Sequence, residues 1–205
     1  MIKIIDNFLT KSYYNNILEL LTTTNFEWTY VDNITTPQYI PVLKTPRMDE
    51  YGFSHAFWSG GMQMSQHAPF FNAMLCQILD ETDCDFIWRG RVDLLTWSKE
   101  TFIHQAHVDF VFPNTASVFY INESDGDTIF YNIKPEDVPK DKDLTDLEEY
   151  KRVSPQPNRL VIFDGDYLHT GSTPTKHKNR ILINSNYIKS KYVEEFKKWL
   201  ESQKR

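Results

Sequence analysis

The chain has 205 residues, of which 40% are hydrophobic, 24% charged and 15% aromatic, with a formal charge of -6. That length suits one well-buried domain, 1–205, and the acidic balance argues against phosphate-backbone binding as the main activity. Cys76 and Cys84 alone give no disulfide framework, no apolar run approaches the ~18 residues of a membrane span, and the apolar start Ile2–Ile5 is too short for a signal peptide, so a soluble, cytoplasmic protein is expected.

In chain order, Lys3 to Phe8 reads as a short strand, ending at Asp6-Asn7. A helix follows, capped by Thr10 or Ser12, with Tyr14, Ile17, Leu18 and Leu21 on one face. Residues 30–66 carry three prolines and three glycines without a sustained period, which predicts loops and short strands, the usual place for a lid. Phe70 to Leu79 is expected to form a buried helix opened by Pro69. The texture then changes to strands between turns: Phe86–Trp97, Ala116–Asn122, Thr128–Ile133, Arg159–Phe163 and Arg180–Ile188. Residues 134–157 read as an exposed charged insertion with a short helix over 143–151. Tyr192, Val193, Phe196 and Leu200 recur at helical spacing in a terminal amphipathic helix. Helices at the ends and strands between them predict an α+β protein with a β-sandwich or barrel core.

His107-Val108-Asp109 is an H-x-D triplet, and His169 follows sixty residues after Asp109. Two imidazoles and a carboxylate on one side of a metal leave three positions open, as non-haem iron(II) oxygenases require. The letters alone are weak, because roughly 0.8 of such a triplet is expected by chance in this composition. Context adds weight: Arg180 lies eleven residues after His169 and opens a strand whose even positions are Arg180, Leu182, Asn184 and Asn186. Period two places these on one face, opposite a largely apolar one. Arg91, Asp93, Leu95 and Trp97 share a face in the same way, as do Val118, Tyr120 and Asn122. A barrel lined by Tyr120, Trp97, Asp93, Arg180 and Asn184 is wetter than a structural core and suits a small acid. His104 precedes His107 by three, but the β-leaning Thr101-Phe102-Ile103 leaves it outside the ligand set.

As a set, HVDF at 107–110, SVFYINESDGDTIFYN at 117–132 and PNRLVIFDGDYLHTGSTPTKHKNRILINSNYI at 157–188 resemble the 2-oxoglutarate/iron(II)-dependent dioxygenases, in particular the prolyl-hydroxylase-like branch. The opening IIDNFLT at 4–10 is similar to that branch's usual start. The resemblance covers about half the chain and implies a double-stranded β-helix, a jelly-roll or cupin-like barrel with flanking helices. It implies iron(II) on His107, Asp109 and His169, and 2-oxoglutarate held by Arg180 and Tyr120, with Asn184 as a further polar contact. Trp97 stands where that branch commonly has a tyrosine, and Gly126-Asp127-Thr128 only approximates its Gly-Gly-x-Thr. The implied partners are 2-oxoglutarate, O2 and an unidentified substrate, a prolyl-like peptide side chain or a small molecule, with ascorbate a further candidate. The texture is similar to compact oxygenases of marine bacterial viruses, which would place a viral protein in the host cytoplasm. Two alternatives stand beside this reading: a cupin-type metal barrel with other chemistry, and a non-catalytic, oligomeric interaction module.

Overall fold

The structure, a computed structural model, describes residues 1–35, 51–138 and 147–195. Its elements in chain order are β1 (Ile2–Ile5), α1 (Lys11–Thr22), β2 (Thr29–Val31), β3 (Gly52–Ser59), β4 (Met62–Gln63), α2 (Ala68–Asp80), β5 (Phe86–Thr96), β6 (Thr115–Tyr120), β7 (Thr128–Tyr131), β8 (Glu149–Val153), β9 (Arg159–Asp164), β10 (His169–Gly171) and β11 (Asn179–Ile188). Residues 190–195 are helical, the described start of the expected terminal helix; Phe196 and Leu200 lie outside the described residues.

Among the described residues the strands form two antiparallel sheets. The larger runs β1-β9-β6-β11-β5-β3-β2, with β4 hairpinned onto β3, and the smaller runs β10-β7-β8. Alternation along the central strands decides which side chain goes where. Phe119, Leu160, Ile162, Ile181, Ile183 and Tyr187 point to the outer side of the large sheet. There they pack with Ile17 and Leu21 of α1 and with Phe71, Met74, Leu75 and Ile78 of α2. Their neighbours one step along, Val118, Tyr120, Val161, Phe163 and Leu182, point between the sheets against Phe130 and Val153. A one-residue slip in any of these strands would exchange the two sets, so burial on both faces specifies the register. The result is a double-stranded β-helix with helices on its outer face.

Several expectations need correction. β1 starts one residue early and stops at Ile5, because Asn7 adopts a left-handed φ of 54° that extended pairing cannot continue. Thr10 does occupy the N-cap of α1, without a side-chain cap bond. Within 30–66, β3 is a full eight-residue strand paired with β5, its buried His55 and Phe57 hidden among the glycines and prolines of that stretch. Residues 36–50, the centre of the expected lid, lie outside the described residues. The helix expected over 143–151 is overturned where it is described: Glu149–Val153 is a strand, because pairing with β7 and burial of Val153 outweigh the helix-forming charges.

Candidate metal centre

The smaller sheet carries the histidines. His169 opens β10, and the segment after β5 runs antiparallel beside it, joined by bridges at Ile103–Ser172 and His107–His169. The ligand atoms of His107, Asp109 and His169 lie within 4.8 Å of one another, and no other such group occurs among the described residues. Each imidazole is oriented from behind: His107 Nδ1 contacts the Gln105 carbonyl at 3.1 Å and His169 Nδ1 the Tyr167 carbonyl at 2.9 Å. A carbonyl only accepts, so Nδ1 carries the hydrogen in each neutral ring and Nε2 keeps the lone pair. Phe163 packs edge-on against the His169 ring, 4.9 Å between centroids.

The electrostatics suit the same purpose. Burial first, and His169 second, push His107 down to about 4, and burial lowers His169 too, so both are neutral at pH 7. Burial would raise Asp109, but the Arg89 guanidinium and the two imidazoles hold its carboxyl well below the usual range. Arg89 Nη2 stands 2.6 Å from Asp109 Oδ1, without hydrogen-bond alignment, while Asn186 Nδ2 donates to Oδ2 at 2.9 Å. Two neutral nitrogen donors and an ionised oxygen donor fit a first-row divalent metal.

A cavity between the sheets joins this centre to Arg180, with Asp93, Thr128, Leu182 and Asn184 in its wall. Arg180 is 3% exposed; burial lowers its pKa, yet a guanidinium stays charged at any working pH. It donates to Thr128 Oγ1 at 2.7 Å, its Nε has no hydrogen-bond partner, and no carboxylate of the described residues forms an ion pair with it. The chain makes room for this side chain at two glycines. A Cβ on Gly171 would stand 2.8 Å from Arg180 Nη1, and one on Gly126 would stand 2.8 Å from its Cδ. A buried, incompletely paired cation is costly, so the seat fits the carboxylate of an acid.

The other predicted residues divide. Tyr120 is fully buried, donates its hydroxyl to Thr128 Oγ1 at 2.6 Å and lies under Arg180, 5.8 Å from ring centroid to Cζ. Asn184 lines the cavity and donates to Asp93 Oδ2 at 2.5 Å. Trp97 is not brought to the site: it is 54% exposed, donates to the Thr175 carbonyl at 2.8 Å and lines a separate cleft with Tyr51 and Phe102. β5 ends at Thr96, so the alternation that put Trp97 in phase with Asp93 and Leu95 stops one residue short of it. His104 is buried on the cavity wall, outside the three-residue cluster.

Three site residues escaped the sequence reading. Arg89 lies one step back along the face of Arg91 and Asp93, so extending that alternation by two residues finds it. Thr128 is the last residue of the Gly126-Asp127-Thr128 turn. Asn186 was in phase with Arg180, but nothing local linked it to Asp109.

No family model matches this chain, and no curated protein matches its sequence. Solved structures share the fold. A prolyl hydroxylase from Trichoplax adhaerens, in complex with a hypoxia-inducible-factor degradation-domain peptide, is 15% identical with a TM-score of 0.57, over 94% of this chain and 86% of its own. A Pseudomonas putida prolyl-4-hydroxylase is 13% identical with a TM-score of 0.55, over 92% of each chain. A non-haem α-ketoglutarate-dependent epimerase from nogalamycin biosynthesis is 10% identical with a TM-score of 0.59, over 92% of this chain and 78% of its own.

Proposed function

We propose that this chain, whose fold is that of the 2-oxoglutarate/iron(II) oxygenases, is itself an oxygenase dependent on iron(II) and 2-oxoglutarate. The reading rests chiefly on a buried Arg180 without a carboxylate partner, sharing a cavity with a two-histidine, one-aspartate cluster. His107 and His169 through Nε2, with Asp109, would hold the metal. Arg180, Thr128 and Tyr120 would bind the distal carboxylate of 2-oxoglutarate, and Val118, Leu95 and Leu182 would flank its methylenes. Metal and cosubstrate together supply oxidative decarboxylation to succinate and carbon dioxide, coupled to oxidation of a substrate C–H by O2. The protein orients the keto acid and excludes water at the buried arginine.

The prolyl hydroxylases among the similar folds favour a peptide side chain as substrate, and the epimerase keeps small molecules in view. Ascorbate as a further cofactor, the one-domain organisation and a cytoplasmic location are part of this proposal. No described helix is long and apolar enough to cross a membrane. The viral source rests on sequence texture alone.

A second reading, a binding module without a metal, draws on the Arg89–Asp109 ion pair, which already balances the carboxylate. Manganese(II), an oxygen-inert stand-in for iron(II), separates the readings by calorimetry. The oxygenase reading expects metal binding followed by 2-oxoglutarate binding, with His107→Ala losing the metal and Arg180→Ala losing only the cosubstrate. Metal binding without 2-oxoglutarate would favour a cupin-type barrel, and binding of neither would favour the module.

A further inference from the structure

A second cavity adjoins the first at the triad: Arg91, His107 and Asp109 line both, and Arg89 and Phe110 line the second. Arg89 and Arg91 are two residues apart on β5 and so project from the same face. Phe110 lies against Arg89, 4.9 Å from the guanidinium carbon to the ring centroid, and fixes its plane. Arg91 gives Nε to Asp93 Oδ2 at 3.0 Å, and its terminal nitrogens make no hydrogen bond among the described residues. With 18% and 26% of their side chains exposed, both arginines are partly withdrawn from water yet open to the cavity.

Among the described residues, formal charges leave one of these cations unbalanced in the loaded site. The two charges of the metal are matched by Asp109 and one carboxylate of 2-oxoglutarate. The other carboxylate matches Arg180, and Asp93 matches Arg91. Among the described residues Arg89 then shares its one carboxylate partner, Asp109, with the metal, and a positive charge faces the cavity beside the Arg91 terminal nitrogens.

We infer that the substrate carries an anionic head group, a carboxylate or a phosphate, bound between Arg89 and Arg91 in this second cavity. The inference rests on the oxygenase reading and narrows its substrate class: a neutral peptide would leave Arg89 unbalanced, whereas an acidic substrate pairs with it and presents its neighbouring carbons to the metal side. Planar guanidinium forks accept either oxyanion, so chemistry alone does not separate the two.

The test uses the full chain saturated with manganese(II) and 2-oxoglutarate, both bindings measured first. Paramagnetic relaxation of methyl protons is then followed for acetate, for its neutral isostere acetamide, and for methylphosphonate. Saturable relaxation by acetate or methylphosphonate but not acetamide is expected, the tighter of the two identifying the head group. Arg91→Gln should weaken the anion at least about tenfold with metal and 2-oxoglutarate affinities retained, and Arg91→Lys should restore most of the loss. Equal effects from acetate and acetamide, no saturable effect, or an anion affinity unchanged in Arg91→Gln would overturn the inference while leaving the oxygenase reading intact. Failure to bind manganese or 2-oxoglutarate at the outset would remove both.

Discussion

His107 and His169 are a hydrogen-bonded antiparallel pair: the His107 N–H donates to the His169 carbonyl at 2.9 Å, and the His169 N–H donates back at 3.0 Å. Each ring is tied through Nδ1 to the carbonyl two residues earlier, Gln105 in one case and Tyr167 in the other. The same backbone ladder therefore sets both imidazoles, and their ring centroids stand 4.7 Å apart. Asp109 lies beyond this ladder and takes its position from Arg89 and Asn186 instead.

Asn186 is fully buried and divides its amide between Asp109 Oδ2 and Asn114 Oδ1, at 2.9 and 3.1 Å. Asn186→Ala frees the carboxylate to rotate and should weaken manganese(II) binding by about ten- to a hundredfold. Titration of the metal, followed by its electron paramagnetic resonance signal, reads this directly. Unchanged affinity would show that Arg89 alone orients Asp109.

Gly171→Ala places a methyl group 2.8 Å from Arg180 Nη1, so the guanidinium must shift from its seat beside Thr128. The expected outcome is 2-oxoglutarate binding weakened at least about tenfold, with manganese affinity unchanged. Calorimetry on both ligands checks the separation, and a parallel loss of metal would point to a general distortion of β10.

Thr128 Oγ1 accepts from Tyr120 at 2.6 Å and from Arg180 at 2.7 Å. Thr128→Val keeps the volume and leaves both donors short of an acceptor in a buried place. Stability should fall by about 1–3 kcal/mol in urea unfolding, and 2-oxoglutarate should bind more weakly. A variant as stable as the parent would mean that water reaches these groups.

Asp125 accepts from the Thr175 hydroxyl at 2.7 Å, from His177 Nδ1 at 2.9 Å and from the backbone N–H groups of residues 175–177, so it pins the connection between β10 and β11. Partial burial works to raise its pKa, but the bonds from Thr175 and His177 outweigh it and hold the carboxyl well below its ordinary value. A depressed folded-state pKa means stabilisation that is complete above the unfolded value of about 3.9 and fades as pH falls towards the folded one. Asp125→Asn should therefore cost about 1–2 kcal/mol at pH 7, and its difference from wild type should shrink below about pH 4. A difference that persists unchanged well below about pH 4 would assign the effect to another group.

Much of the centre was legible from local pattern. The H-x-D triplet, His169 and Arg180 stood at readable spacings. Period two along β11 sorted Arg180, Leu182, Asn184 and Asn186 onto one face and Ile181, Ile183 and Tyr187 onto the other; the first set lines the cavity or meets Asp109, and the second packs under the helices. A strand's alternation is a property of its own backbone, so a sequence carries it without knowledge of any partner. What tertiary structure decided was opposition: Arg89 against Asp109, Thr128 between Tyr120 and Arg180, Gly171 and Gly126 around the guanidinium, Trp97 outside the cavity, and Glu149–Val153 as a strand. Each depends on which segments the fold brings face to face, across separations of 8 to 78 residues in the chain. Those contacts form only when non-local burial outweighs local preference, and that balance is written in the packing of the whole fold.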